Sequence, residues 1–248
     1  MKKSFLIIQI RPEDETSDSE FEAIKRHGGL EDREVQRARI ERDGLPSINL
    51  DDYAAIIVGG SPFDVSTPEA DKSDIQKKIE NGFNSLFDDI VARDFPFMGC
   101  CSGNGLLGSY CGSPISKRYG EPVGGADIFI PEEGKKDKLL EGMPASIRVL
   151  LGHKEACDIT PPNSVLLASN ESCPVQMFRL KQNIYATQFH PEGDSDEFTV
   201  RIHVYKSYGY FPAEKADDLL ESIEAERGKV DYAHAILKRF VDFYRAAS

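Results

Sequence analysis

The sequence predicts an α/β fold built on a mostly parallel sheet, with antiparallel strands added in its second half. Three observations carry that prediction. Short apolar runs rich in β-branched residues recur through the first hundred positions and end in glycine or loop signals, and helix-length amphipathic segments lie between or after them, the alternation of βαβ units. From residue 128 onward the texture changes to short β-rich segments separated by turn residues, which reads as hairpins.

Taken in order, residues 5–10 (Phe-Leu-Ile-Ile-Gln-Ile) form the first buried strand. Two lysines precede that run, but Gln9 interrupts it, Arg11-Pro12 follows, and no small-residue cleavage site is present, so a secretory leader is not read here. A helix is expected over 20–28 and a strand over 35–41. Residues 54–58 (Ala-Ala-Ile-Ile-Val) form the next buried strand and run into Gly59-Gly60. The helix expected over 70–91 carries Ile75, Ile79, Phe83, Leu86, Phe87 and Ile90 at spacings of three and four. Residues 95–99 form another strand, followed by a short helical pattern. Residues 131–143 read as a charged connection; 147–151, 164–169, 175–180 and 184–189 read as short strands divided by Pro161-Pro162-Asn163, Asn170-Glu171-Ser172 and Lys181-Gln182-Asn183. In the tail, Asp231 can cap a helix whose apolar stripe is Ala233, Ile236, Leu237, Phe240, Val241 and Tyr244.

At roughly 150 residues per domain, a chain of 248 residues could hold one large domain or two small ones. No repeat and no Pro-, Gly- or Ser-rich linker divides it, so one domain over 1–248 is expected, with a core at about 1–195 and a helical C-terminal extension at about 196–248. Thirty Lys and Arg against 42 Asp and Glu give a net charge of −12. That sign disfavours phosphate backbones and anionic lipid, so neither nucleic acid nor membrane is expected as a partner. No apolar run is long enough to span a bilayer, and a cytoplasmic protein is expected. Cys100, Cys101, Cys111, Cys157 and Cys173 are an odd number with no C-x-x-C, which suggests neither a disulfide framework nor a metal site. No P-loop occurs, and no cofactor is expected.

The chemistry concentrates at Gly99-Cys100-Cys101-Ser102-Gly103. Between a strand and a helix, G-x-C-x-G has the context of a nucleophile elbow, a tight turn that lifts its central side chain above the sheet. Only Cys101 has glycine at both flanking positions, and a thiol at a helix N-terminus is favoured as thiolate. His190-Pro191-Glu192 supplies a base and its orienter on one segment: proline keeps His190 extended, and residues two apart then point the same way. Its place at the carboxyl end of a predicted strand matches where sites lie in open α/β sheets. Gly59-Gly60-Ser61-Pro62 can present the Gly60 amide to a developing oxyanion, with the Ser102 amide as second donor.

These three pieces, in this order and at these separations, resemble the glutaminase module of class I (triad-type) glutamine amidotransferases, particularly stand-alone proteins similar to the amidotransferase half of GMP synthase. Gly152-His153-Lys154-Glu155 falls where that family has a Ser-His-Gly-Asp-like turn, and 172–178 (Ser-Cys-Pro-Val-Gln-Met-Phe) resembles its Cys-Pro-Val-Gln-Ala-Phe strand. The resemblance covers about residues 1–195. It implies a flavodoxin-like sheet with helices on both faces, Cys101 as nucleophile, His190 as general base then acid, and Glu192 as its orienter. Gly60 and Ser102 would form the oxyanion hole, with Gly105 and His153 at the substrate. The implied reaction is hydrolysis of the glutamine side-chain amide through a γ-glutamyl thioester, the ammonia passing to a synthetase partner on another protein. One departure stands out: the family pattern G-x-C-x-G-x-Gln meets Gly105 here, which offers no side-chain hydrogen bond to the substrate glutamine. Two other readings stay open, a γ-glutamyl peptidase or hydrolase using the same triad, and a non-catalytic or regulatory protein on the same fold. Cys111, Cys157 and Cys173 read as packing residues, and His27, His203 and His234 as surface or core histidines.

Overall fold

The computed structural model describes residues 3–42, 44–206, 208 and 211–246. In chain order the elements are β1 (Ser4–Gln9), α1 (Asp14–Gly28), β2 (Val35–Arg39), β3 (Tyr53–Val58), α2 (Asp74–Arg93), β4 (Phe97–Cys100), α3 (Ser102–Tyr110), β5 (Ile115–Ser116), β6 (Glu121–Phe129), α4 (Glu132–Lys135), β7 (Ser146–His153), β8 (Ala156–Cys157), β9 (Ser164–Ala168), β10 (Met177–Leu180), β11 (Ile184–Thr187), α5 (Ser195–Tyr205), α6 (Ala216–Glu224) and α7 (Asp231–Ala246).

Seven strands form one sheet in the order β2-β1-β3-β4-β11-β10-β9. The first five run parallel, and β10 and β9 complete it as an antiparallel meander. This is the mostly parallel, flavodoxin-like α/β sheet that the sequence implied. Side chains alternate between the faces of the sheet. Leu6, Ile8, Ile56, Val58 and Phe97 pack with α2 and α3 on one face, and Ile7, Ile57 and Met98 pack with α1, α5 and α7 on the other. With both faces covered, β1 and β3 read as continuous apolar runs.

Several boundaries differ from the sequence expectation for identifiable reasons. Helix α1 begins at Asp14 rather than 20, because its first turns face inward with polar groups: Thr16, Ser17 and Glu20 are buried. Gln9 Nε2 donates to the Ser17 carbonyl at 2.6 Å and to Glu20 Oε2 at 3.0 Å, a pairing that apolar periodicity does not register. Helix α2 starts at Asp74 rather than 70, since Ser73 caps it by accepting the Gln76 N–H. Strand β4 lies two residues later than 95 at its start, past Pro96, and keeps Cys100 in the ladder opposite Thr187. Strand β6 is additional to the expected elements; it pairs antiparallel with β7, and Pro122 with Gly124-Gly125 breaks its alternation where the register shifts. The connection at 131–143 contains the single turn α4. The tail is helical as expected, the apolar stripe of α7 is buried, and Asp231 is the first residue of that helix.

The turn from β4 to α3 is the local structure that places the site. Cys101 has φ 54° and ψ −96°, a conformation that costs a non-glycine residue about 1–3 kcal/mol. The turn also needs close backbone contact, because a Cβ on Gly99 would lie 2.7 Å from the carbonyl carbon of Gly103. Gly103 itself is less constrained, since a Cβ there would meet only Val58, at 3.6 Å. Gly99→Ala is therefore expected to destabilise the fold by about 1–3 kcal/mol and Gly103→Ala by less; chemical denaturation of both variants measures the difference, and equal costs would contradict this account of the turn.

Candidate active site

Cys101, Gly60 and His190 come together beyond the carboxyl ends of β4, β3 and β11. Cys101 lies where two chambers meet. One, of about 90 Å³, is lined by Ser102, Gly105, His153, Glu155 and Gln188 among others. The other, of about 60 Å³, is lined by Arg11, His190, Phe198, Arg201, Tyr205 and Phe211. Ser61, Val123 and Gly152 border both.

The Cys101 N–H donates to the Thr187 carbonyl at 2.7 Å, fixing the elbow to β11. Burial pushes the Cys101 thiol up to about 11, against the pull of the Arg11 and Arg201 guanidinium groups. Cys100 is wholly buried, and burial raises its thiol well above the usual range. His190 and Glu192 pair as their spacing implied, with 2.6 Å between His190 Nδ1 and Glu192 Oε1. Burial would raise Glu192, but His190 and Arg201 hold it well below the usual carboxylate range. Burial and the neighbouring Arg201 push His190 down to about 4. At neutral pH the pair is thus a neutral thiol and a neutral imidazole, with Nδ1–H directed to Glu192.

The other imidazole nitrogen is occupied. Arg201 Nη1 donates to His190 Nε2 at 2.9 Å, and no hydrogen bond joins His190 to the Cys101 sulfur. The expected oxyanion donor is engaged as well: the Gly60 N–H donates to Glu20 Oε1 at 2.9 Å, so in this arrangement it does not face Cys101. Ser102, at the first position of α3, has an amide with no partner inside the helix, and its hydroxyl donates to the Gly59 carbonyl at 3.1 Å.

Both occupied groups belong to one buried ionic network that the sequence patterns do not reveal. Arg11 Nε meets Glu20 at 2.8 Å. Arg201 pairs with Glu197, with Glu192 at 3.1 Å and with Glu20 at 3.6 Å. Burial lifts Glu197 to about 7 despite both arginines, whereas Glu20, equally buried, is held down by Arg11 and Arg201. One usable signal exists: Arg11 follows the first predicted strand at the sheet edge where such sites lie.

Gly105 lines the larger chamber, and a Cβ there would stand 3.5 Å from Glu155 Oε1. The Glu155 carboxylate occupies the space toward which a longer side chain at 105 would extend. It accepts from the Val65 N–H at 2.6 Å and the Ser66 N–H at 2.7 Å, and burial raises it. His153 borders the chamber with both nitrogens engaged, Nε2 with Glu121 at 2.8 Å and Nδ1 with the Glu155 carbonyl at 2.9 Å. Glu121, His153 and Cys173 bring three metal-ligating atoms within 4.8 Å of one another. Glu121 also accepts from Asn170 and Gln176, and the Cys173 thiol is directed at the Val175 carbonyl, so these donors are spent on each other and on the protein. Cys157 and Cys173 are buried and Cys111 is partly buried, while His27 and His234 stack 3.6 Å apart. Among the described residues no helix is long and apolar enough to cross a membrane.

Comparison with known proteins bears on the family and the fold. The family model for glutamine amidotransferase class-I matches residues 15–203. A subunit of the glutamine-hydrolyzing GMP synthase of Pyrococcus abyssi is 28% identical over 162 residues, covering 64% of this chain and 80% of that one. The glutamine-hydrolyzing GMP synthase of Borreliella burgdorferi is 27% identical over 158 residues, which cover 64% of this chain but 28% of that one, so the chain spans about a quarter of the length of such relatives. In structure, a glutamine amidotransferase from Thermotoga maritima superposes with a TM-score of 0.76 at 20% identity, over 98% of this chain and 99% of that one, a likeness of fold.

Two outcomes are expected from this geometry. Alkylation of Cys101 by iodoacetamide, followed by mass spectrometry across pH, should be slow at neutrality and rise toward a midpoint near 11, because only the thiolate reacts; a midpoint below about 8.5, the value of an unperturbed thiol, would contradict the neutral pair. Glu20→Ala leaves Arg11 without its ionic partner and should cost about 3–5 kcal/mol in denaturant unfolding.

Proposed function

This chain belongs to the glutamine amidotransferase class-I family, and we propose that it hydrolyses the side-chain amide of glutamine through a thioester on Cys101. The observation that carries the reading is the set of three elements at one sheet edge: a strained Cys101 on the elbow, His190 lining the same chamber, and Glu192 bonded to His190 Nδ1.

In this mechanism His190 Nε2 takes the thiol proton as the sulfur attacks the side-chain carbonyl carbon, and Glu192 holds the imidazole in the required tautomer and stabilises the imidazolium. The Ser102 amide receives the developing oxyanion, joined by the Gly60 amide when it turns from Glu20. Collapse breaks the carbon–nitrogen bond, and His190 returns its proton to the leaving ammonia. Water, deprotonated by His190, then hydrolyses the thioester to glutamate and free thiol. Arg201 has to leave His190 Nε2 before the first proton transfer. Glu155 in the larger chamber offers a carboxylate to the substrate α-ammonium group, a contact that does not depend on a side chain at Gly105. We further propose that 1–248 acts as one domain and that the ammonia is passed to a synthetase partner, as the names of the GMP synthase relatives suggest. A second reading, hydrolysis of γ-glutamyl peptides or conjugates by the same residues, is favoured by the additional chamber beside Cys101.

Ammonia release from glutamine, with detection of a γ-glutamyl adduct on Cys101, tests the reading. Cys101→Ala should reduce turnover by roughly 10⁴-fold or more, with Cys100→Ala retaining most of it. His190→Asn should be nearly as damaging as Cys101→Ala. Glu192→Gln should be milder, because the orienting group transfers no proton. With His190 titrating near 4 in the folded protein, the acid limb of kcat/KM should lie well below 6.5, protonation removing the base only there. If Cys101 forms no adduct with glutamine or any γ-glutamyl compound, the protein is instead a non-catalytic member of the family.

A further inference from the structure

The smaller chamber is more than ammonia requires. It opens from Cys101 on the side of His190 and Arg201, opposite the chamber that holds Glu155. Its volume of about 60 Å³ compares with roughly 10–15 Å³ for one water by the same measure, so it accommodates a group of several heavy atoms. Phe198, Ile202 and Phe211 give it apolar walls. Arg11 supplies its polar end. That side chain is only 6% exposed. Its Nε is bonded to Glu20 and its Nη1 to the Tyr205 hydroxyl, whereas Nη2 makes no hydrogen bond with any described residue. Nη2 lies against Gly60, 2.2 Å from where a Cβ would stand, with His190 Cε1 3.2 Å from the same point. A guanidinium N–H that no described residue engages is a strong donor for a charged acceptor entering the chamber. A leaving ammonia molecule provides none there.

We propose that this chamber is a leaving-group subsite, and that it takes an amine with a short apolar body and a carboxylate that accepts from Arg11 Nη2. The inference rests on the thioester reading above and specifies its substrate as a γ-glutamyl amide of an acidic amine, the simplest being a γ-glutamyl dipeptide. The Cys101 sulfur bonds to the γ-carbonyl carbon and the carbon–nitrogen bond breaks. The departing nitrogen takes the proton that His190 received from the thiol, and water then releases glutamate, so one γ-glutamyl amide and one water give glutamate and one free amine. The carboxylate also competes for Arg201 with Glu192, Glu197 and His190, which favours release of His190 Nε2 when such a substrate binds.

The test compares kcat/KM of the purified full chain for glutamine, γ-glutamylalanine and γ-glutamylalaninamide, which differ in the leaving group alone. One hydrogen bond to a charged group corresponds to about tenfold to a hundredfold, and γ-glutamylalanine should lead both of the others by that factor. Phe211→Glu places a like charge in the chamber wall and should lower the ratio of the acidic to the amidated dipeptide by at least about tenfold, while Arg11→Lys should lower it partially. Equal kcat/KM for acidic and amidated dipeptides, or a clear preference for glutamine, overturns the subsite and leaves the thioester reading standing. Absence of any Cys101 adduct with all three compounds overturns the reading and the subsite together.

Discussion

The arrangement around Cys101 depends on a buried ionic network in which two arginines face three glutamates. Arg11 comes from the loop after β1, Glu20 from α1, Glu192 from the turn after β11, and Glu197 and Arg201 from α5. Desolvating five such groups is expensive, and the expense is offset only when each charge is hydrogen-bonded. The network therefore fixes the separation of α1 and α5 over the sheet edge more narrowly than apolar packing alone would. Phe198 extends that control to the imidazole, lying edge-on to His190 with centroids 5.6 Å apart and beneath the Arg201 guanidinium at 4.9 Å.

The same network occupies the two groups that the proposed chemistry needs. Glu20 holds the Gly60 amide and Arg201 holds His190 Nε2. Charge-assisted bonds of this kind contribute about 1.5–3 kcal/mol each, so freeing both calls for compensating contacts from a bound substrate. A site of this kind keeps its thiol protonated and its base engaged until a ligand of suitable shape enters. Burial acts in the same direction, raising Cys101 to about 11 and lowering His190 to about 4. Under the proposed chemistry, reactivity would thereby be tied to occupancy, and an exposed low-pKa thiolate, the form most open to oxidation, would be avoided.

What is legible in the sequence follows the reach of its patterns. The elbow can be read because its geometry has a steric requirement at Gly99 that glycine alone meets, and the His190–Glu192 pairing because proline and strand periodicity determine where the two side chains point. The parallel sheet can be anticipated from buried runs whose apolar residues serve both faces. The first turns of α1 are not legible, since an inward face of Thr16, Ser17 and Glu20 looks like a solvated one until its partners are known. Strand β6 is hidden by Pro122 and Gly124-Gly125. The ionic network draws on residues from 11 to 201, and no local spacing encodes that an arginine after β1 and another on α5 converge on one glutamate. Glu155 can be placed in a turn, but its approach to Gly105 depends on the fold of β7 and the loop that carries Val65 and Ser66.

The net charge of −12 stands at odds with the proposed carboxylate subsite, and distance resolves the conflict. At physiological ionic strength surface charges are screened over about 8 Å, so the acidic surface slows the encounter of an anion with the protein more than it weakens the bound state. Inside the chamber, a guanidinium N–H that no described residue engages lies at contact distance from an entering carboxylate and outweighs the more distant, screened surface carboxylates. The two chambers then present opposite characters on either side of Cys101, a carboxylate at Glu155 and a guanidinium at Arg11. In the proposed substrate class the glutamyl end carries an α-ammonium beside its own carboxylate and the leaving amine carries a second carboxylate; that ammonium would meet Glu155 and the far carboxylate Arg11, with the reacting carbonyl between the two chambers.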